Sequence, residues 1–368
     1  MTALAVGSSL LLGIVWIGYP FLMRAVAALT PRRPAVEPQV WPEVTVVIAS
    51  RDTAEAILAR VDDVLAGDYP GELNVVVALD TTSSTSEAGL VGQRPSLRIV
   101  RGDPPGGKAA TLNAGVRTAS GEILVFTDTH QRFAADAIRA LVVDLSDGTY
   151  AATSGRLELP AREEASLIDR YWRMERRLRR DEARVHSAIG VSGSIYAMRR
   201  AEWEALPAGL ILDDLYVPMR LVLARRRVGF TDAARASDIR RTVPSEEYRR
   251  KVRTLTGNFQ LCAWQPAVLL PVRNPVWLQF LLHKLLRLLT PYLLVCLGGA
   301  LLAILVARFG VYVFVTGAGV LLLLGLAAAA VGKWRALTNL AAWGISLQAA
   351  IVTATYYGLR GRWDVWRR

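Results

Sequence analysis

Four stretches of the chain, 3–23, 288–307, 309–332 and 336–359, carry no charged residue, and each is at least 20 residues long. About 20 apolar residues suffice to cross the hydrocarbon core of a bilayer as a helix. The pattern therefore predicts a membrane protein with one N-terminal span and a C-terminal group. Between these stretches the hydrophobic period changes. Short apolar runs (VTVVIAS from Val44, LNVVVALD from Leu73, LRIV from Leu97, EILVFTD from Glu122) are separated by helical stretches near Thr53 to Ala66 and Lys108 to Ala119, and by a Ser/Thr-rich loop at 81–86. Strands separated by helices predict an α/β domain with a mostly parallel sheet and crossover helices. Ligands of such sheets sit beyond the carboxyl ends of the strands. Asp80 and Asp128 both stand there.

This pattern divides the chain into an anchor (1–30), a linker (31–43) with four prolines, a soluble domain (44–273), an apolar stretch with a basic face (274–287, NPVWLQFLLHKLLR) and C-terminal spans with a basic tail (288–368). The fourth part fits a helix lying in the membrane interface. Residues 163–186 predict a long charged helix, with Leu167, Tyr171, Met174 and Leu178 at helical spacing as core contacts.

The net charge of +12 raises the question of nucleic acid, but no recognition motif for it is present. The arginines cluster at 176–180, 225–227 and 240–253, as solvated faces near anionic lipid or as groups holding a diphosphate and an anionic glycan. Two cysteines, Cys262 and Cys296, provide neither a disulfide framework nor a zinc site. The first apolar stretch lacks a basic n-region, and the nearest positive charges, Arg24, Arg32 and Arg33, follow it. It reads as a retained anchor rather than a secretory signal. Basic residues favour the cytoplasmic side, which places the N-terminus outside a bacterial-type plasma membrane and the soluble domain inside. The tail, with Arg360, Arg362, Arg367 and Arg368, pulls the same way, and the stretch before it is polar for a span, with Thr338, Asn339, Ser346, Gln348, Thr353 and Thr355. We therefore expect the last stretch to lie against other helices or in the interface, returning the tail to the cytoplasmic side.

Several residues have the chemistry of a charged-ligand site. Asp128 and His130 end an apolar strand two positions apart, and both side chains ligate divalent cations such as Mg or Mn. Lys108 follows Pro104-Pro105-Gly106-Gly107 and opens a helix, where an ammonium group and a helix N-terminus both favour anions. Asp80 ends VVVALD and is placed either to bond a nucleobase or ribose or to form a turn. Asp213-Asp214 precede a helix, either complementing its dipole or supplying a general base. Arg250, Lys251 and Arg253 share one short segment, facing a diphosphate or lipid headgroups.

Together these segments resemble the inverting glycosyltransferases of family 2, in particular the membrane-embedded branch of hyaluronan, chitin, cellulose and poly-N-acetylglucosamine synthases. The likeness covers roughly residues 40–290 and implies a GT-A fold. It implies that Ala49, Asp80, Lys108, Asp128, Arg250 and Arg253 face a UDP-sugar, and that Asp128 and His130 stand where the Asp-x-Asp motif holds the metal and diphosphate. The loop from Val191 to Tyr196 resembles the acceptor side, with Ser192 and Gly193 toward the acceptor, and Asp214 matches the base beside Asp213. Two positions depart from the pattern: His130 replaces the second carboxylate, and Thr254 replaces the tryptophan of Gln-x-x-Arg-Trp that would stack on a growing glycan. The resemblance thus implies transfer of a sugar from a UDP-sugar to a hydroxyl on a glycan or lipid-linked acceptor at the membrane. Single transfer and polymer synthesis both stay open, as do a polyprenyl-phosphate sugar transferase and a catalytically dead scaffold.

Overall fold

The computed structural model describes all residues except 32, 33, 35, 159–166, 240–243, 314, 318, 321, 322, 324–334 and 366–368. The predicted span 309–332 thus lies largely outside the described residues, as does the start of the helix expected at 163–186.

One eight-stranded sheet organises the soluble domain, in the order β3-β2-β1-β4-β7-β6-β8-β5. Strands β1 (Val44–Ser50), β2 (Leu73–Leu79), β3 (Leu97–Arg101) and β4 (Ile123–Thr127) pair in parallel. In β1, the four apolar residues Val44, Val46, Val47 and Ile48 are wholly buried, as a strand covered on both faces requires. Beyond β4 the sheet turns mixed: β7 (Tyr196–Arg199) runs antiparallel to β4 and to β6 (Tyr150–Glu158), while β8 (Arg227–Asp238) is parallel to β6 and antiparallel to β5 (Gln131–Phe133). Because β2 and β4 flank β1 on opposite sides, the crossovers leave a crevice beyond the carboxyl ends of β1 and β4.

Helix α1 is the run Thr2–Leu29. On the sheet, α2 (Ala54–Leu65) is capped by Thr53, whose hydroxyl accepts from the Ala56 amide at 3.4 Å, and buries Ile57, Val61 and Val64 at helical spacing. Each such side chain contributes about 1.5–3 kcal/mol on burial. Helix α3 (Lys108–Thr118) packs tightly on the sheet: a Cβ at Gly115 would come within 2.7 Å of Val47 Cγ1. We predict that Gly115→Ala lifts α3 off the strands and costs about 1–3 kcal/mol, seen as a thermal midpoint lower by roughly 2–12 °C. An unchanged midpoint would show that this contact is not tight. Helices α4 (Ala137–Leu145), α5 (Leu167–Val185), α6 (Asp213–Leu223) and α7 (Pro244–Trp264) complete the domain.

Two described helices are long and apolar enough to cross a membrane, α1 and the run Trp277–Phe309, α8. The stretch 274–287, expected as a separate interfacial helix, instead continues into α8 through a π segment, Leu281–Leu285, and a 3₁₀ segment, Leu286–Leu289. The reason is that its basic face turns inward. His283 and Arg287 are buried at 3% and 9% exposure, and His283 bonds Glu175 at 3.0 Å and Glu182 at 2.8 Å on α5. Arg287 pairs with Glu175, Tyr19 of α1 donates to Glu182, and the Trp16 indole donates to Thr290 Oγ1 at 3.1 Å. Both apolar helices are thereby clamped to the soluble domain. Removing one member of such a buried pair typically costs about 3–5 kcal/mol.

The charge-free stretch 336–359 forms α9 (Arg335–Leu359) and lies along α7. The Trp343 indole donates to Glu247 at 3.1 Å, Tyr248 and Thr353 share a hydrogen bond of 3.0 Å, and Gly358 has no room for a Cβ beside Phe259. Beyond it Trp363 and Val365 pack against the core of the soluble domain.

Candidate active site

The ends of four segments meet at the crevice: Asp128 after β4, Lys108 opening α3, Asp213-Asp214 opening α6, and the turn 191–195 that enters β7. Lys108 arrives by way of two glycines in the left-handed region, Gly106 (φ 84°) and Gly107 (φ 91°), and a Cβ at Gly106 would collide with the Thr81 hydroxyl. Its Nζ sits 3.4 Å from Asp128 Oδ1 and 3.5 Å from Asp213 Oδ1. Burial opposes the charge on Lys108, but Asp128, Asp213 and Asp214 outweigh it and hold the ammonium above the ordinary lysine range. Burial and the neighbouring Asp213 push the Asp214 carboxyl above the ordinary aspartate range, with Lys108, Arg253 and Arg179 acting against the shift. Asp214 thus has a raised proton affinity, as a general base requires.

A proline fixes where Asp214 stands. In a regular helix the amide of residue 218 would bond the Asp214 carbonyl, but Pro218 has no N–H. The carbonyl instead accepts from the Val191 amide at 2.9 Å. This ties the turn to α6, while the Ser192 amide donates to Ser154 Oγ at 2.8 Å. A Cβ at Gly193 would lie 3.5 Å from both Lys108 Nζ and Asp214 Cβ, so the glycine leaves the space between ammonium and carboxylate open.

The structure brings together Lys108, Asp128, Asp213, Asp214 and Gly193, with Ser192 in the adjoining turn and Arg253 acting on Asp214, Asp213 and Asp128. Arg250 is exposed three residues before Arg253, on which its charge acts. Ala49, half-buried on β1, pairs with Ala78 and packs against the core. Asp80, expected toward a nucleotide, is 5% exposed and committed internally. Its carboxylate accepts from the Thr82 amide (2.9 Å) and hydroxyl (2.6 Å), the Gly107 amide (2.7 Å) and the Thr111 hydroxyl (3.2 Å). Burial opposes its charge, yet these bonds hold its pKa below the ordinary range. Asp80 therefore latches the glycine loop that delivers Lys108.

His130 is held by a carboxylate other than Asp128. Its Nε2 lies 3.1 Å from Asp52 Oδ1, while Asp128 is bonded to Lys108 and, at 3.5 Å, to the Ser194 hydroxyl. Among the described residues no three His, Cys, Asp or Glu side chains converge on a cation position. Asp52 is itself fixed: its amide donates to Ser50 Oγ at 3.0 Å, and Thr129 donates to that same oxygen at 2.8 Å.

Two supporting residues went unread in the sequence. Asp52 stands 78 positions from its partner His130. Arg60 is wholly buried, donates to Thr127 Oγ1 at 2.9 Å and lies 4.0 Å from the Phe133 ring centroid, and Thr127 donates to the Ser194 carbonyl at 2.8 Å. The signal available for Arg60 was its place among Ile57, Val61 and Val64, an arginine within an apolar stripe.

Residues 45–204 match the family model described as Glycosyl transferase family 2. Over 206 residues the chain is 26% identical to an N-acetylglucosaminyltransferase of Neorhizobium galegae, covering 53% of this chain and 46% of that protein. Over 219 residues it is 29% identical to an N-acetylglucosaminyltransferase of Rhizobium sp. (strain N33), covering 54% and 47%. The chain thus spans about half the length of these curated relatives. Among solved structures it resembles a mannosyltransferase from Pyrobaculum calidifontis in complex with GDP-Man and Mn2+, with a TM-score of 0.71, 22% identity, and coverage of 97% of this chain and 99% of that one. The soluble domain has the GT-A fold.

Proposed function

We propose that the chain is an inverting, metal-assisted glycosyltransferase that moves a sugar from a nucleotide sugar to an acceptor hydroxyl at a membrane surface. The observation that carries this reading is the convergence of Lys108, Asp128 and Asp214 around the space left by Gly193. In-line displacement at the anomeric carbon needs a base on one side and a diphosphate-holding group on the other. Asp214 is placed to take the acceptor proton, Lys108 and Arg253 to attract the diphosphate, and Asp213 to hold Lys108 in reach. Ser192 and Gly193 border the acceptor side.

The donor set fits a divalent cation such as Mg or Mn through Asp128 alone. Its carboxylate, 34% exposed, is one hard oxygen donor, and Mg²⁺ is commonly held by one or two carboxylates plus substrate phosphates. His130, turned to Asp52, is not needed for that set. Such a cation, when bound, would offset the charge developing on the leaving diphosphate.

The donor class we favour is a UDP-sugar. UDP-N-acetylglucosamine is the first to test because the two curated relatives are N-acetylglucosaminyltransferases, and GDP-mannose is next because the solved neighbour holds GDP-Man. Radiolabelled donors incubated with membranes containing the full chain, with products sized on a gel, test the reading. Label in a glycan or lipid-linked product supports it, whereas no incorporation from any donor contradicts it.

We place α1 and α8 across a membrane with the catalytic domain and tail on the cytoplasmic side, supported by their apolar length and by the packing of Trp363 and Val365 on the domain. In a variant with Cys262 and Cys296 replaced, we predict that a cysteine at the exposed Asp364 escapes a membrane-impermeant reagent in intact spheroplasts. Labelling there would put the tail outside.

A further inference from the structure

Tyr196 has a hydroxyl that packing does not explain. It opens β7, is wholly buried, and stacks on Phe126 with ring centroids 4.6 Å apart and planes 13° off parallel. Its phenolic oxygen is enclosed and has no hydrogen-bond partner. An enclosed hydroxyl without a partner is unfavourable, and phenylalanine would supply the same ring without that cost. The ring sits beside the segments that carry the site's carboxylates: Phe126 is two residues before Asp128, and Tyr196 shares one buried cluster with Leu212 and Leu215, which flank Asp213-Asp214.

Two cations act on Asp213, Lys108 and Arg253. Asp213 is 7% exposed and forms an ion pair with the Lys108 ammonium at 3.5 Å, which also serves Asp128 at 3.4 Å. In the proposed reaction that ammonium turns to a diphosphate. With Arg253 drawn to the same diphosphate, Asp213 would then be a buried carboxylate beside Asp214 with both neighbouring cations turned to the donor, a state that burial penalises unless another group reaches it.

Resting on the transferase reading above, the geometry points to Tyr196 as a positioning residue for Asp213: its hydroxyl donates to the Asp213 carboxylate when Lys108 engages the donor diphosphate. No bond is made or broken in this step, and the hydroxyl keeps its proton. Burial and the three carboxylates hold the Tyr196 pKa well above the ordinary tyrosine range, so it remains a donor. Its effect reaches the reaction through Asp213 and the first turn of α6, which sets the direction of Asp214.

The test is Tyr196→Phe in the full chain, with three readouts. The thermal midpoint should stay the same or rise, because an unpartnered hydroxyl has been removed. Donor affinity measured by calorimetry should stay within about twofold, while kcat falls roughly tenfold to a hundredfold, the range for a hydrogen bond to a charged group. The losses in Tyr196→Phe and Asp213→Asn should not add in the double variant, since both remove one interaction. A wild-type kcat in Tyr196→Phe, a lowered midpoint, or strictly additive losses would overturn the assignment. A wild-type chain that turns over no nucleotide sugar would instead contradict the transferase reading on which it rests.

Discussion

Asp128→Ala should abolish metal-dependent cleavage of the donor and transfer of its sugar. The substitution takes away the one carboxylate that ends β4 in the crevice and pairs with Lys108 at 3.4 Å. Removing a single preorganised electrostatic partner at a reacting centre commonly costs a hundredfold to a thousandfold in rate, about 3–4 kcal/mol. A radiometric transfer assay across a range of Mg²⁺ and Mn²⁺ concentrations reads the effect. His130→Ala is the informative companion. Because the imidazole is bonded to Asp52 rather than to Asp128, it should change the metal dependence far less. Equal losses in the two variants would return His130 to the metal-holding role that the sequence suggested.

Asp214→Asn should keep donor affinity and lose transfer by a hundredfold or more, since an amide preserves the shape of the side chain but cannot accept the acceptor proton. Calorimetry for binding and initial rates at saturating donor separate the two effects. If affinity falls while the saturated rate holds, Asp214 binds rather than catalyses, and Asp213 becomes the candidate base. The pH profile gives a second reading of the same group. A base works deprotonated, and burial together with Asp213 raises the Asp214 pKa. As pH falls, the acid limb of kcat/KM should therefore appear at a higher pH than an ordinary aspartate would give. Asp213→Asn removes the repulsion that helps raise this pKa, so it should move the limb to lower pH. A limb already in the ordinary aspartate range in the wild type would count against Asp214.

Much of this was legible in the chain because it is local. The buried run from Val44 to Ser50, the glycine-loop-to-helix junction at Lys108 and the adjacent carboxylates at the start of α6 all announce themselves within a few residues. What stayed hidden depends on partners distant in sequence. Asp80 reads as a strand-end carboxylate for a nucleotide or a turn, and only its bonds to Gly107 and Thr111 show that it holds the loop delivering Lys108. The basic face at 274–287 fits headgroups until Glu175 and Glu182, about a hundred residues earlier, turn it inward. Pro218 looks like a flaw in a helix, and its purpose appears only when the Val191 amide takes up the carbonyl it leaves free. Local pattern thus located the crevice, while the commitments of individual polar groups needed the three-dimensional pairing.

In the proposed function one crevice, built from Lys108, Asp128 and Asp214, cleaves a nucleotide sugar with the help of a cation. This is tested most directly by measuring nucleoside diphosphate release from a panel of UDP- and GDP-sugars by the purified full chain in lipid nanodiscs, with Mg²⁺ or Mn²⁺ and with a chelator. Release from at least one donor, suppressed by the chelator and lost in Asp128→Ala, is the expected result. No release from any donor, or equal release by Asp128→Ala and wild type, would contradict it.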